Sequence, residues 1–173
     1  MPDPAIDVLL IAFDQAYDRA SWHGTNLRGS LRGLSAQQAA WRPERSRHNV
    51  WEIAVHAAYW KYTILRALTG ARRGSFALKG SNWFVRPERA AAVEAAWKAD
   101  VALLDATHGA LRDAIARLLP DELGKAPNGR NTTRLALITG ITAHDLYHAG
   151  QIQLVKKLMP GNRRDRTRAR DQD

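Results

Sequence analysis

Apolar residues recur through the opening segment at alternating steps of four and three: Ile6, Leu10, Phe13, Tyr17, Ala20, Gly24, Leu27, Leu31 and Leu34. That rhythm keeps one stripe of a helix turned toward its partners, which is the pattern of bundle helices. Asp3 is a good N-cap and Pro4 suits the first helical position. The stripe therefore predicts a long first helix running on toward Leu34.

The same period returns three more times. After a short "SAQQAAW" piece, where Ser35 and Gln38 have capping-box spacing, a second helix is predicted over "NVWEIAVHAAYWKYTILRALTG", stopped by Gly70. A long, partly aromatic loop, "ARRGSFALKGSNWFVR", reads as a segment that folds over something. A third helix lies near "PERAAAVEAAWKADVALLDATHGALRDAIARLL" and ends before Pro120. A fourth runs from Thr133 to Met159 and is stopped by Pro160 and Gly161. No strand alternation or internal repeat stands against this. Four long amphipathic helices in 173 residues make an all-α four-helix bundle the economical architecture. One domain is expected over residues 1–160, followed by a charged, disordered tail over 161–173.

Charge and cysteine content narrow the function classes. The net charge of +9 favours an anionic partner, but the arginines are interleaved with carboxylates. Even the densest cluster, "GNRRDRTRARDQD", has five arginines against three aspartates, so nucleic-acid binding is poorly supported. With no cysteine there is no disulfide, no thiolate metal ligand and no internal thiol nucleophile, which is compatible with a reducing cytoplasm. The N-terminal segment lacks a basic signal region. No stretch reaches the ~18 apolar residues of a membrane span, so a soluble protein is expected.

The chemistry concentrates in "TAHDLYHAGQI". At about 100° per residue, His144 and His148 lie on one helix face, one turn apart, among Leu137, Gly140, Ile141, Gln151 and Val155. Two imidazoles at this spacing can reach one ion. A protease-type His-Glu-x-x-His site is excluded on two counts: Asp145 replaces the glutamate, and no histidine or glutamate follows His148. His56 lies on the inward stripe of the second helix with Ile53, Ala57, Trp60 and Ile64. One histidine from the second helix and two from the fourth would converge across the core, as metal sites in bundles commonly do. His48 and His108 lack matching partners. His23, beside Trp22 and Gly24, borders the seam of the first helix and is a pocket candidate.

"NVWEIAVHAAYWKY" and "TAHDLYHAGQIQLVKK", together with "SWHGTNLRGSLRGLSAQQAAWRP", resemble the DinB/YfiT-like superfamily of small metal-binding bundles. The likeness spans nearly the whole chain up to Met159. It implies an up-down-down-up bundle, a divalent ion (zinc or nickel) held by His56, His144 and His148, and a homodimer. It also implies a thiol-dependent transferase that uses a low-molecular-weight thiol and a small-molecule substrate. Without cysteine, any reacting thiol must come from a cosubstrate.

Around the triad, Glu52 lies one turn before His56 and is a candidate base, fourth ligand or acceptor. Gln151 could orient an imidazole or a substrate. Asp145 is expected at the edge of the site, and Trp60 and Tyr147 are candidate pocket walls. A non-catalytic metal-binding structural or stress-related protein and a metal-water hydrolase are the competing readings.

Overall fold

Asp3 opens the first helix by accepting from the Ala5 N–H, with Pro4 at the first helical position. The computed structural model describes residues 3–160, apart from 73 and 128. The tail anticipated over 161–173 lies outside the described residues. Among the described residues six α-helices follow in order: α1 (Pro4–Tyr17), α2 (Leu27–Ser30), α3 (Ala36–Ala39), α4 (Val50–Thr69), α5 (Glu94–Ala116) and α6 (Arg134–Leu158). Short 3₁₀ turns stand at Arg89–Ala91 and Pro120–Glu122, and there is no strand among the described residues. The chain is all-helical, and no described helix is long and apolar enough to cross a membrane.

The first helix is shorter than its stripe predicts. It ends at Tyr17, and the chain turns through Gly24, whose φ of 101° suits glycine alone. Asn26 then caps α2 and also ties back to the Arg19 carbonyl. Leu27, Leu31 and Leu34 are nevertheless buried. The apolar stripe was therefore a true guide to burial at these leucines, but Ala20 and Gly24 are exposed, and it was a false guide to helical continuity. The third predicted helix starts late: α5 begins at Glu94, and the "PERAAAV" stretch before it carries only a 3₁₀ turn at Arg89–Ala91. The remaining boundaries follow their signals. Ser35 and Gln38 form a reciprocal capping box, Gly70 ends α4 in the left-handed conformation, and Thr133 caps α6.

Each of α1 and α4 packs against both α5 and α6. Side-chain pairs give their directions. Asp14 meets Arg112 while Tyr17 meets Asp105, so α1 and α5 run oppositely. Trp51 bonds Asp100 near one end of α4, and Ile64 and Leu68 cluster with Leu111 and Ile115 toward the other, so α4 and α5 run together. His56 meets His144, and Ile64 meets Leu137 further on, so α4 and α6 are antiparallel.

Two apolar clusters fill the bundle. One gathers Trp51, Ala54, Trp97, Leu104 and Ile152, with Phe76 and Phe84 from the 71–93 loop. The other gathers Ile6, Phe13, Ile64, Leu111, Ile138 and Ile141. Along α4 and α6 the boundary between the clusters is polar, carrying His56, Lys61, His144, Asp145 and His148. Each fully buried Leu, Ile or Phe contributes roughly 1.5–3 kcal/mol, enough to carry such a layer.

Within that layer Lys61 and Asp145 are both wholly buried and paired at 2.5 Å. The ammonium also faces the rings of Phe13 and Tyr17 at 4.7 and 5.0 Å. Removing one partner strands a buried charge, whereas removing both strands none. Lys61→Met is expected to destabilise the fold by about 3–5 kcal/mol in urea unfolding, and Lys61→Met/Asp145→Leu to recover most of that loss.

Candidate metal centre

The α4 side of the centre begins at the helix start. Asn49 caps the Glu52 N–H, and Glu52 returns a bond to the Asn49 N–H, fixing the first turn. One turn later His56 points across to α6, where His144 and His148 stand a turn apart. The Nε2 atoms of His56 and His148 lie 3.1 and 3.0 Å from Nε2 of His144. Among the described residues these three offer ligand atoms all within 4.8 Å of one another.

The outer nitrogens decide what this cluster can hold. His56 Nδ1 donates to the Asn82 carbonyl at 2.8 Å, and His148 Nδ1 donates to Gln151 Oε1 at 2.7 Å. With those protons on Nδ1, both neutral rings present bare lone pairs at Nε2. Lone pairs crowded at about 3 Å repel unless a cation or proton sits among them. Three nitrogens each ~2.0–2.1 Å from one ion in tetrahedral directions would stand about 3.3 Å apart. The donor set and its spacing therefore fit a divalent ion. His144 Nδ1 is buried with no hydrogen-bond partner among the described residues.

The 71–93 loop covers His56. Asn82 adopts φ 61°, a left-handed conformation that asparagine tolerates. This turns its carbonyl toward His56 while its side-chain oxygen accepts from Trp60 Nε1 at 3.0 Å. Trp83 is sandwiched between His48 and His56, with ring centroids 3.6 and 3.8 Å away and planes within 10°. Beyond it a cavity of about 660 Å³ opens between Trp83, Tyr147, His148, Gln151, Leu154 and Arg47. That volume is in the range of small-molecule sites. A smaller recess of about 160 Å³ lies beside His144 and Trp60.

The six further sequence candidates fall in different places. Gln151 holds His148. Trp60 is half-buried beside both His56 and His144. Tyr147 is exposed, edge-on to His148, and lines the larger cavity. Glu52 is buried in an ion pair with Arg42 at 2.8 Å and also meets His48 Nδ1. Burial pushes its carboxyl up, but the Arg42 and His48 bonds outweigh this and hold it below the usual range. Asp145 does not border the cavity as anticipated. It points into the core toward Lys61, because the 100° step past His144 faces α1 and α4 there. His23 stands on the exposed turn before α2, edge-on to Trp22, because the predicted helix has already ended. His108, without an assigned role, is buried and stacked on Phe13 and Tyr17.

Three contributors escaped the sequence reading. Asn82 and Trp83 sit in a loop with no period to place them, and only its aromatic content hinted at a covering role. Lys61 had a readable signal: it interrupts the apolar stripe Ala57, Ile64, Leu68 on α4.

An all-helical bundle whose polar layer gathers three imidazoles from two helices, two buried and one half-buried, defines a class of histidine-centred helical proteins. Within that class the model of the DinB superfamily matches residues 19–152, which include all three histidines, and the chain belongs to that superfamily. No curated protein and no solved structure matches it significantly.

Burial pushes His144 down to about 3 and His148 to about 4, with the neighbouring imidazoles adding to both shifts. Burial lowers His56 as well, and takes His108 to about 2. In the unfolded chain the same groups bind protons near 6.5. Burial also raises the Asp145 carboxyl to about 6, which works the other way, but between these values the four histidines outweigh it and the unfolded state holds more protons, so stability rises with pH across that window. Metal-free protein is thus expected to be most stable above about pH 6.5 and to lose stability continuously toward pH 3. Urea midpoints measured at half-unit pH steps check this; a flat profile from pH 7 to 4 would contradict it.

Proposed function

We propose that His56, His144 and His148 hold one divalent ion, zinc or nickel, and that the protein is a transferase moving a low-molecular-weight thiol onto a small electrophile. The observation that carries this reading is the convergence of three Nε2 atoms, two of them bare because the opposite Nδ1 protons are already committed. Three neutral imidazoles leave the full dipositive charge and at least one open position, which would acidify a thiol and polarise a carbonyl.

The protein's own residues would do the rest. Asn82 and Gln151 orient two of the imidazoles. Trp83 shields His56, and the cavity beside His148 receives the reactants between Tyr147 and Leu154. Of the two carboxylates nearest the triad, Glu52 is held by Arg42 and His48, and Asp145 is wholly buried against Lys61, away from the cavity. That favours a reaction whose nucleophile is activated by coordination and disfavours a hydrolase that needs a carboxylate base. It also supports the second reading, a non-catalytic metal-binding protein in which the ion clamps α4 to α6. As part of the leading proposal the chain acts as a homodimer, which sedimentation velocity tests.

Elemental analysis of tag-free protein is expected to find about one equivalent of zinc or nickel per chain, lost in His56→Ala and in His144→Ala/His148→Ala. Screening low-molecular-weight thiols against alkyl halides and epoxides separates the two readings. Turnover that disappears with the metal supports the transferase. Metal-dependent thermal stability without any turnover supports the clamp. Metal-free wild type after reconstitution with zinc and nickel would remove both.

A further inference from the structure

The recess beside His144 is distinct from the larger cavity beyond Trp83. Its walls are Trp60 and Ile64 from α4, and Ala136, Leu137, Gly140 and Ile141 from α6, with His144 the single polar group among them. Ala136 and Gly140 are exposed, so it opens to solvent. Its volume of about 160 Å³ is close to that of an enclosed apolar cavity, about 150 Å³, that takes up benzene, so a group of that size fits, here with one side left to solvent.

Gly140 gives the recess its width. It sits within α6, one turn before His144, with helical backbone and no atom of the described residues within 4 Å of where a Cβ would stand, its own helix backbone and chain neighbours aside. Neither a positive φ nor a close packing neighbour explains a glycine there, and glycine is the poorest helix former after proline. Ala136, one turn earlier, is small as well. A larger residue at either position would project over the recess beside the imidazole. Trp60 completes the other wall, and its indole N–H is held by Asn82 Oδ1, so the wall is fixed by the same loop residue that orients His56.

We propose that this recess is a specificity pocket. It seats a small apolar group, a phenyl ring or a short branched alkyl chain, of a molecule that reaches the three-histidine centre, and Gly140 sets the size admitted. The inference rests on the metal-centre reading for what happens at His144, and on the cavity alone for what binds.

Two probes keep these apart. In the first, benzene is titrated into ¹⁵N-labelled protein, with and without zinc, and the tryptophan indole signals are followed. A saturable shift of the Trp60 signal, abolished in Gly140→Leu and Ala136→Leu and leaving Trp83 unmoved, is expected. In the second, cobalt(II)-loaded protein is titrated with phenylmethanethiol and with 2-mercaptoethanol, reading the thiolate-to-cobalt absorption. Gly140→Leu is expected to weaken phenylmethanethiol by roughly tenfold or more and to leave 2-mercaptoethanol unchanged, the scale of a misfit in an apolar pocket.

Benzene shifting Trp83 in place of Trp60, or binding Gly140→Leu as well as wild type, would overturn the pocket. So would a Gly140→Leu protein whose main change is its sedimentation coefficient, since the recess would then be a contact between copies. Absence of cobalt binding would sink the metal reading and leave the benzene result to decide the recess.

Discussion

The bundle depends on one buried ion pair. Lys61 and Asp145 join α4 to α6 where neither charge can reach water. Taking two such charges out of water costs several kcal/mol each, and only close pairing offsets it. The pair thus discriminates sharply among relative positions of the two helices: a slide of one turn would leave both charges alone in an apolar interior. Asp145 directly follows His144, and Lys61 lies five residues after His56. The register set by the pair is therefore the register in which imidazoles from α4 and α6 meet. The apolar clusters on either side supply the larger share of burial, but Leu and Ile contacts tolerate sliding far better than a buried charge does.

How much of this was legible follows from what each signal encodes. Period and caps encode burial and helix ends, so α4, α5 and α6 were readable as helices, and the i, i+4 histidines as facing one way. The first helix was overread because a stripe records which residues are buried without recording whether the backbone between them is continuous. Leu27, Leu31 and Leu34 joined the core after a turn at Gly24. Glu52 shows the opposite error. Asn49 and Glu52 have the spacing of a capping box, yet proximity to His56 suggested chemistry. Its oxygens are taken by Arg42, His48 and the Asn49 N–H.

What sequence reasoning missed lies where the chain has no period. The Asn82 carbonyl and the Trp83 ring reach His56 across 26 and 27 positions, through a loop whose path depends on Phe76 and Phe84 docking on Tyr59. The chemistry of that contact is nonetheless specific. A carbonyl can only accept, so it fixes the proton of His56 on Nδ1 and leaves Nε2 bare. Gln151 gives His148 the same polarity from within α6. Ligand basicity in this centre is thus set by one neighbour from a loop and one from the helix itself.

The two polar features also constrain each other electrostatically. An unpaired Lys61 ammonium would oppose any dication at the neighbouring histidines, and it already disfavours a charged His144 and His108. In a low-dielectric interior such repulsion acts over many ångströms with little screening. Asp145 cancels that field locally, and it lies on the same helix turn as the ligand it protects. A carboxylate aimed at an ion held by the three histidines would reduce that ion's net charge. With Asp145 turned toward Lys61, an ion held there would keep its full charge. The position directly after His144 is therefore better understood as a charge-balancing residue for the core than as a member of the reacting set.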